Sequence, residues 1–148
     1  MNRQAARAIV IKDGQILVMH RNKFGSEYDT LPGGGVEIGE SPEQAVIREV
    51  YEEASITIGP NPRLVFVEDA GDPYGTQLIY VCDYISGEPS LAETSEEAQI
   101  NKLGQNLYDP RWLPLSQLPD STFLSDRLQQ VIIASLISGF PKSPQRIH

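Results

Sequence analysis

Glu49, Glu52 and Glu53 fall within five residues of one another, in the run REVYEEAS. If that run is an α-helix, each step turns about 100°. With Glu49 at zero, Glu53 lies near 40° and Glu52 near −60°, roughly one side of the cylinder. Val50 and Ala54 fall near 100° and 140°, so roughly a separate arc is left for the core. Like charges at i,i+4 on a solvated helix repel by a few tenths of a kcal/mol, roughly. A hard divalent cation reverses that sign. Mg²⁺ takes oxygen ligands at about 2.1 Å and binds through carboxylates together with substrate phosphates. The same cation lets a phosphate approach an acidic surface and lowers the pKa of a coordinated water.

Two neighbouring features fit such chemistry. Arg48 stands before the first glutamate and four residues ahead of Glu52, so its planar donor head can pair with that carboxylate and orient it. Gly33, Gly34 and Gly35 precede the acidic run; glycine lets backbone approach a ligand closely, and its N–H groups can receive phosphate oxygens. Alone, the glycine run is a turn and the acidic face a solvated surface. Their conjunction points to a metal–phosphate site.

The elements that must position these residues follow from local signals. Ser41, Pro42 and Gln44 form a capping box with proline at the first helical position, and Val46, Ile47, Val50 and Ala54 give the helix its apolar face. The helix is expected to stop near Ser55. Residues 4–11 and 16–20 read as strands joined by the KDGQ turn, and 63–70 and 76–84 as a second hairpin across GDPYG. Residues 21–29 read as a polar, mobile loop. Pro32 and the glycines are expected to forbid a regular element, with GVE a short strand. Residues 86–106 read as a loop with a helical turn near 95–99. A short strand follows in NLYDPRWLPL, then at most a turn in SQLP, a closing helix over 123–140 stopped near Gly139, and a frayed tail over 141–148. The expectation is one α/β domain over 1–148, helices packed on a mixed sheet.

Composition narrows the partners. The chain has 148 residues, 40% of them apolar, enough for a core. Its net charge of −8 and pI near 4.7 argue against broad nucleic-acid binding, which needs a basic surface. The acidity is local too: from Glu37 to Glu53 there are six Glu and one Arg. Cys82 has no partner for an internal disulfide, and it sits in LIYVCDY as a small core residue, which suits a reducing cytoplasm. His20 and His148 are the only histidines, too few for a Cys/His zinc site, and His20 reads as a strand-end residue. Neither a signal-type apolar segment nor a membrane span is expected.

The stretch GGGVEIGESPEQAVIREVYEEASI resembles the Nudix box, written G-x5-E-x7-R-E-U-x-E-E-x-G-U with U a bulky apolar residue. On this chain the pattern runs from Gly34 through Glu40, Arg48, Glu49, Val50, Glu52 and Glu53 to Ile56, with Ser55 where the penultimate glycine belongs. The flanks RAIVIKDGQILVMHR and DPRWLPLSQLP are similar to the family's surroundings. The resemblance implies an α/β/α sandwich and hydrolysis of a nucleoside diphosphate linked to a group X, with Mg²⁺ as cofactor and Mn²⁺ a possible substitute. It implies metal ligation by Glu49, Glu52 and Glu53, assistance from Glu40, and a backbone ligand from Gly34–Gly35. For the base, Glu53 or Glu52 comes first; Glu93, Glu96 and Glu97 are the loop carboxylates, with Glu96 preferred among them. Arg7, a charge in an apolar strand, calls for a carboxylate or a phosphate, and Arg21 and Lys23 are further phosphate candidates. Tyr28, Phe66, Tyr74, Tyr108, Trp112 and Phe123 are the possible stacking groups for a base. The substrate class spans nucleoside triphosphates, nucleotide sugars, ADP-ribose, dinucleoside polyphosphates and capped RNA. A non-catalytic nucleotide-sensing domain is the alternative, disfavoured because the box carboxylates are intact. A homodimer is possible.

Overall fold

A computed structural model describes residues 3–147. In chain order the elements are β1 (Gln4–Lys12), β2 (Gln15–Lys23), β3 (Ser26–Thr30), β4 (Gly33–Gly35), α1 (Pro42–Ala54), β5 (Thr57–Ile58), β6 (Arg63–Asp69), β7 (Thr76–Cys82), β8 (Tyr84–Ser86), α2 (Glu96–Asn101), β9 (Asn106–Pro114), a 3-10 segment (Leu115–Asp120), α3 (Asp126–Ser138) and β10 (Gln145–Ile147). The main sheet has the order β10-β6-β7-β1-β2-β3, with β4 also on β1 and β9 also on β2; β5 and β8 form a separate pair. The β1·β7 and β10·β6 pairs are parallel and the others in the main sheet antiparallel, so the sheet is mixed.

Strand alternation sorts the core into two layers. Ala6, Ala8 and Val10 of β1 face α1 and pack with Ala45, Val46, Val50 and Ala54. Ile9, with Ile16 and Val18 of β2, faces the other way and packs with Leu128 and Ile132 of α3. Helices on both faces of a mixed sheet make the α/β/α sandwich. The β1–β2 hairpin turns on Asp13 and Gly14, both at positive φ (51° and 74°), as an Asp-Gly turn of this kind requires. Cys82 is buried, as expected of a core residue.

Four segments differ from their sequence reading. Residues 21–29 are no loop: β2 continues to Lys23, the chain turns at Phe24–Gly25, and β3 returns antiparallel to it. Polar side chains hid this pairing, because β3 lies at a sheet edge where few of them need be apolar. The glycines themselves form β4, with Gly33 opposite Arg7 and Gly35 opposite Ala5. Glycine is required there, since a Cβ on Gly33 would stand 2.1 Å from the carbonyl oxygen of Ala6. The tail is not frayed over its described length: β10 adds to β6, and Ile147 is buried among Phe66 and its neighbours. The last strand before α3, β9, is also nine residues long rather than short.

Candidate active site

The site is built on α1. Ser41 accepts from the Gln44 N–H at 3.1 Å and the Gln44 side chain accepts from the Ser41 N–H at 2.9 Å, closing the expected capping box. After the thirteen residues Pro42–Ala54 the helix ends at Ser55, which takes the left-handed conformation (φ 59°) that glycine normally supplies. Its hydroxyl donates to the Ser90 carbonyl at 2.8 Å, tying the helix end to the segment after β8.

Arg48 organises the carboxylates. Its Nε and Nη2 donate to the two oxygens of Glu40 at 2.7 and 2.9 Å, a bidentate pair. Its Nη1 donates to Glu49 at 2.8 Å and to Glu52 at 3.2 Å, and Nη2 also reaches the Gly35 carbonyl at 3.2 Å. The i+4 pair with Glu52 is thus present, but Glu40 takes the strongest geometry. The Arg48 hydrogen bonds hold the Glu40 carboxyl below its ordinary range, and Glu40 in turn raises the Arg48 pKa. Glu40 is therefore placed against the arginine, with its other contact the Glu37 N–H.

Glu49 and Glu53 face the glycine strand. A Cβ on Gly34 would come within 2.6–2.8 Å of the Glu49 carboxylate, so glycine leaves the space that this group fills. The Gly33 N–H donates to Glu53 Oε2 at 3.0 Å. Burial raises the Glu49 pKa against the opposing pull of Arg48. Burial pushes the Glu53 carboxyl up to about 8, against the Gly33 N–H and the Arg7 charge. Among the described residues no three His, Cys, Asp or Glu side chains stand close enough together to hold an ion as they are arranged. The donor set nevertheless fits Mg²⁺: hard carboxylates on one helix side, a backbone carbonyl at Gly35, and a cradle at Gly34 that any larger residue would fill.

Arg7 lies beneath this group. Its Nε donates to Gln77 at 3.1 Å and its Nη1 to the Leu31 and Gly33 carbonyls, each at 3.3 Å. Burial lowers its pKa while Glu53 opposes the fall, so the charge that an apolar strand could not hide is answered by carbonyls and a nearby carboxylate. Arg21 is on β2, in register with Tyr28 on β3 and Tyr108 on β9. Its guanidinium sits 3.6 Å from the Tyr108 ring centroid and 5.9 Å from that of Tyr28. It also donates to the Leu107 carbonyl at 3.2 Å and to the Asn106 side chain. Lys23 is exposed at the end of the same strand.

The remaining candidates separate by position. Phe66 and Phe123 are core residues on the α3 side, Trp112 packs edge-on with Tyr84, and Tyr74 is exposed in the β6–β7 turn. Of these aromatics, Tyr28 and Tyr108 flank Arg21, and Tyr108 feels the charges of Glu53 and Glu97. Of the loop acids, Glu93 and Glu96 are exposed, whereas Glu97 is half-buried and its charge acts on Glu49, Glu53 and Tyr108. The i,i+4 spacing of Glu97 from Asn101 marks this helix face, and sequence reasoning had no partner for Asn101 that would have singled it out. His20 lies within β2, with Nδ1 2.7 Å from Asp29; Ser121 donates to the other Asp29 oxygen at 2.6 Å, so serine and histidine meet the aspartate separately and form no nucleophile–base pair.

The NUDIX domain model matches residues 1–132. The chain belongs to the Nudix family. Its relatives differ in activity. An ADP-ribose pyrophosphatase from Methanocaldococcus jannaschii is 34% identical over 113 residues, covering 71% of this chain and 66% of that protein. A NAD-capped RNA hydrolase, NudC, from Haemophilus influenzae is 34% identical over 113 residues, covering 74% of this chain and 38% of that protein. The chain thus spans just under two thirds of the first relative and well under half of the second. Among solved structures, a MutT Nudix hydrolase from Burkholderia pseudomallei superposes with a TM-score of 0.59 at 27% identity, over 78% of this chain and 85% of that one. A UDP-X diphosphatase superposes with a TM-score of 0.69 at 18% identity, over all of this chain and 68% of that one, a likeness of fold alone. Among the described residues no helix is long and apolar enough to cross a membrane.

Proposed function

We propose that this chain hydrolyses a phosphoanhydride bond in a nucleoside diphosphate-X substrate, with ADP-ribose the first compound to test. The observation that carries the reading is the joining of Arg48, Glu49, Glu52 and the Gly35 carbonyl into one cluster at the glycine strand, with Glu53 half-buried beside it. Glu49, Glu52 and Glu53, with the Gly34–Gly35 backbone, are the proposed metal ligands. Mg²⁺, or Mn²⁺ in its place, would neutralise substrate phosphates and lower the pKa of a water there. Glu40 acts through Arg48, which holds Glu49 and Glu52 in place.

The water oxygen bonds to phosphorus as the bridging P–O bond breaks, and its proton passes to a carboxylate. Glu53 is one candidate for that proton. Glu97 replaces Glu96 as the α2 candidate, because Glu97 is half-buried and its charge acts on Glu49 and Glu53, whereas Glu96 is exposed. On ADP-ribose the products are AMP and ribose 5-phosphate. Arg7 braces the strand that carries Gly33, and the Tyr28–Arg21–Tyr108 row offers a flat, cationic surface for a substrate ring. The acidic surface suits a small nucleotide rather than long nucleic acid, and the single buried thiol suits the cytoplasm.

A substrate panel with Mg²⁺ or Mn²⁺, read as phosphate released after a coupled phosphatase, tests the reading. Glu53→Gln is expected to lose activity by about 100-fold or more. Turnover equal to wild type, or none by wild type on any phosphoanhydride, overturns it.

A further inference from the structure

The short helix α2 has six residues and none of them is buried. A helix of that length does not hold itself in water, and this one has no buried apolar side chain to dock it. What fixes it is polar. At its start, the Ser95 hydroxyl accepts from the Ala98 N–H at 3.1 Å. At its end, Asn101 grips the backbone of Tyr108 twice: Nδ2 donates to the Tyr108 carbonyl at 2.8 Å, and the Tyr108 N–H donates to Oδ1 at 2.7 Å. One carboxamide thereby makes the two bonds that a neighbouring strand residue exchanges in an antiparallel ladder. The residue it grips is itself fixed, since Tyr108 pairs with Arg21 across β9 and β2 and carries the Arg21 guanidinium on its ring.

Glu97 lies one helical turn before Asn101, so the two share a face of α2. On that face Glu97 is half-buried and near enough for its charge to act on Glu49 and Glu53 of α1, while Glu96 is exposed. Ser95 can start the helix but cannot aim it; the bonds at Asn101 set which way its face turns. On the reading of the site given above, we propose that Asn101 is a positioning residue whose carboxamide clamps α2 to β9 and so holds Glu97 at the α1 carboxylates.

The test compares Asn101→Ala and Asn101→Gln, each alone and in a Glu97→Gln background. It reads kcat and KM on ADP-ribose with Mg²⁺, and amide hydrogen exchange of residues 96–101 and 108 in the metal-free chain. Asn101→Ala is expected to speed exchange in α2 and at Tyr108 while leaving α1 as in wild type. Its kcat should fall by about tenfold or more, with KM held within about twofold, because a displaced group costs rate rather than binding. Asn101→Gln should recover part of the loss, since it keeps both a donor and an acceptor. In the Glu97→Gln background Asn101→Ala should cost nothing further, because the group it positions is already disabled. Unchanged exchange, unchanged kcat, or an equal loss in the Glu97→Gln background overturns the proposal. If wild type hydrolyses no substrate, the functional reading fails separately; the clamp is then judged by exchange, faster exchange in Asn101→Ala supporting it and wild-type exchange overturning it.

Discussion

Arg48 donates at once to both oxygens of Glu40, to Glu49, to Glu52 and to the Gly35 carbonyl. Lysine carries the same charge but cannot fork to a carboxylate and reach three further acceptors from one plane. Arg48→Lys is therefore expected to keep the fold and to weaken Mn²⁺ binding by about 10–100-fold, read by calorimetric titration. Unaltered binding would show that the carboxylates need no such brace. Glu53 makes a prediction about pH. Its folded pKa of about 8 lies above the ordinary carboxylate value, near 4.3 when unfolded. Between these values the folded state holds more protons than the unfolded one, so the stability of the metal-free chain falls as pH rises from about 4.3 to about 8. Urea unfolding in a chelator should show this slope in wild type and a flatter one in Glu53→Gln. Parallel profiles would mean that Glu53 is not held in a desolvated place.

At the scale of elements, β4 and the end of α1 show how backbone conformation decides which side chains are tolerated. Gly33→Ala would drive a Cβ to 2.1 Å from the Ala6 carbonyl, which is backbone and cannot swing away, in a residue already at φ 147°. Gly34→Ala would meet the Glu49 carboxylate at 2.6 Å, and a side-chain end can move. The first change should cost about 3 kcal/mol in chemical denaturation, the second much less, while the second still displaces Glu49 and loses activity. Equal stability losses would contradict this distinction. Ser55 combines two opposed effects. Glycine relieves the left-handed backbone but deletes the hydroxyl bond to Ser90. Each is worth about 1 kcal/mol, so Ser55→Gly should keep activity and shift stability by no more than about 1 kcal/mol. A thermal melt beside a turnover assay checks both.

At the scale of the molecule, the sheet is finished by its last described residues. β10 lies parallel on β6, and Ile147 packs in the α3-side layer that also holds Phe66, Val65 and Ile79. The acidic site lies on the opposite layer, with α1. Ile147→Ala is expected to cost about 2 kcal/mol through the lost packing, or ~4–8 °C in melting temperature for a domain of this size. The kcat at a temperature where the variant is folded should stay as in wild type. A kcat that falls with the melting temperature unchanged would link the tail to the site in a way that the layers do not.

Features set by neighbours along the chain were legible before any fold was known. The capping box at Ser41, the Asp13–Gly14 turn, the stop at Ser55 and the common side of Glu49, Glu52 and Glu53 all follow from interactions within a few residues, where helix and turn geometry leaves little choice. Tertiary structure decided what depends on partners far away in sequence. Arg7 could be read as a charge in need of an answer, but its partners Leu31, Gly33 and Gln77 come from distant segments. Polar β3, glycine-rich β4 and the terminal β10 carry weak strand signals and become strands because a neighbour offers an open ladder of backbone groups. The same holds for the acids of α2. Sequence alone listed Glu93, Glu96 and Glu97 side by side; the grip of Asn101 on Tyr108 turns Glu97 inward, because a short helix takes its orientation from what it is tied to.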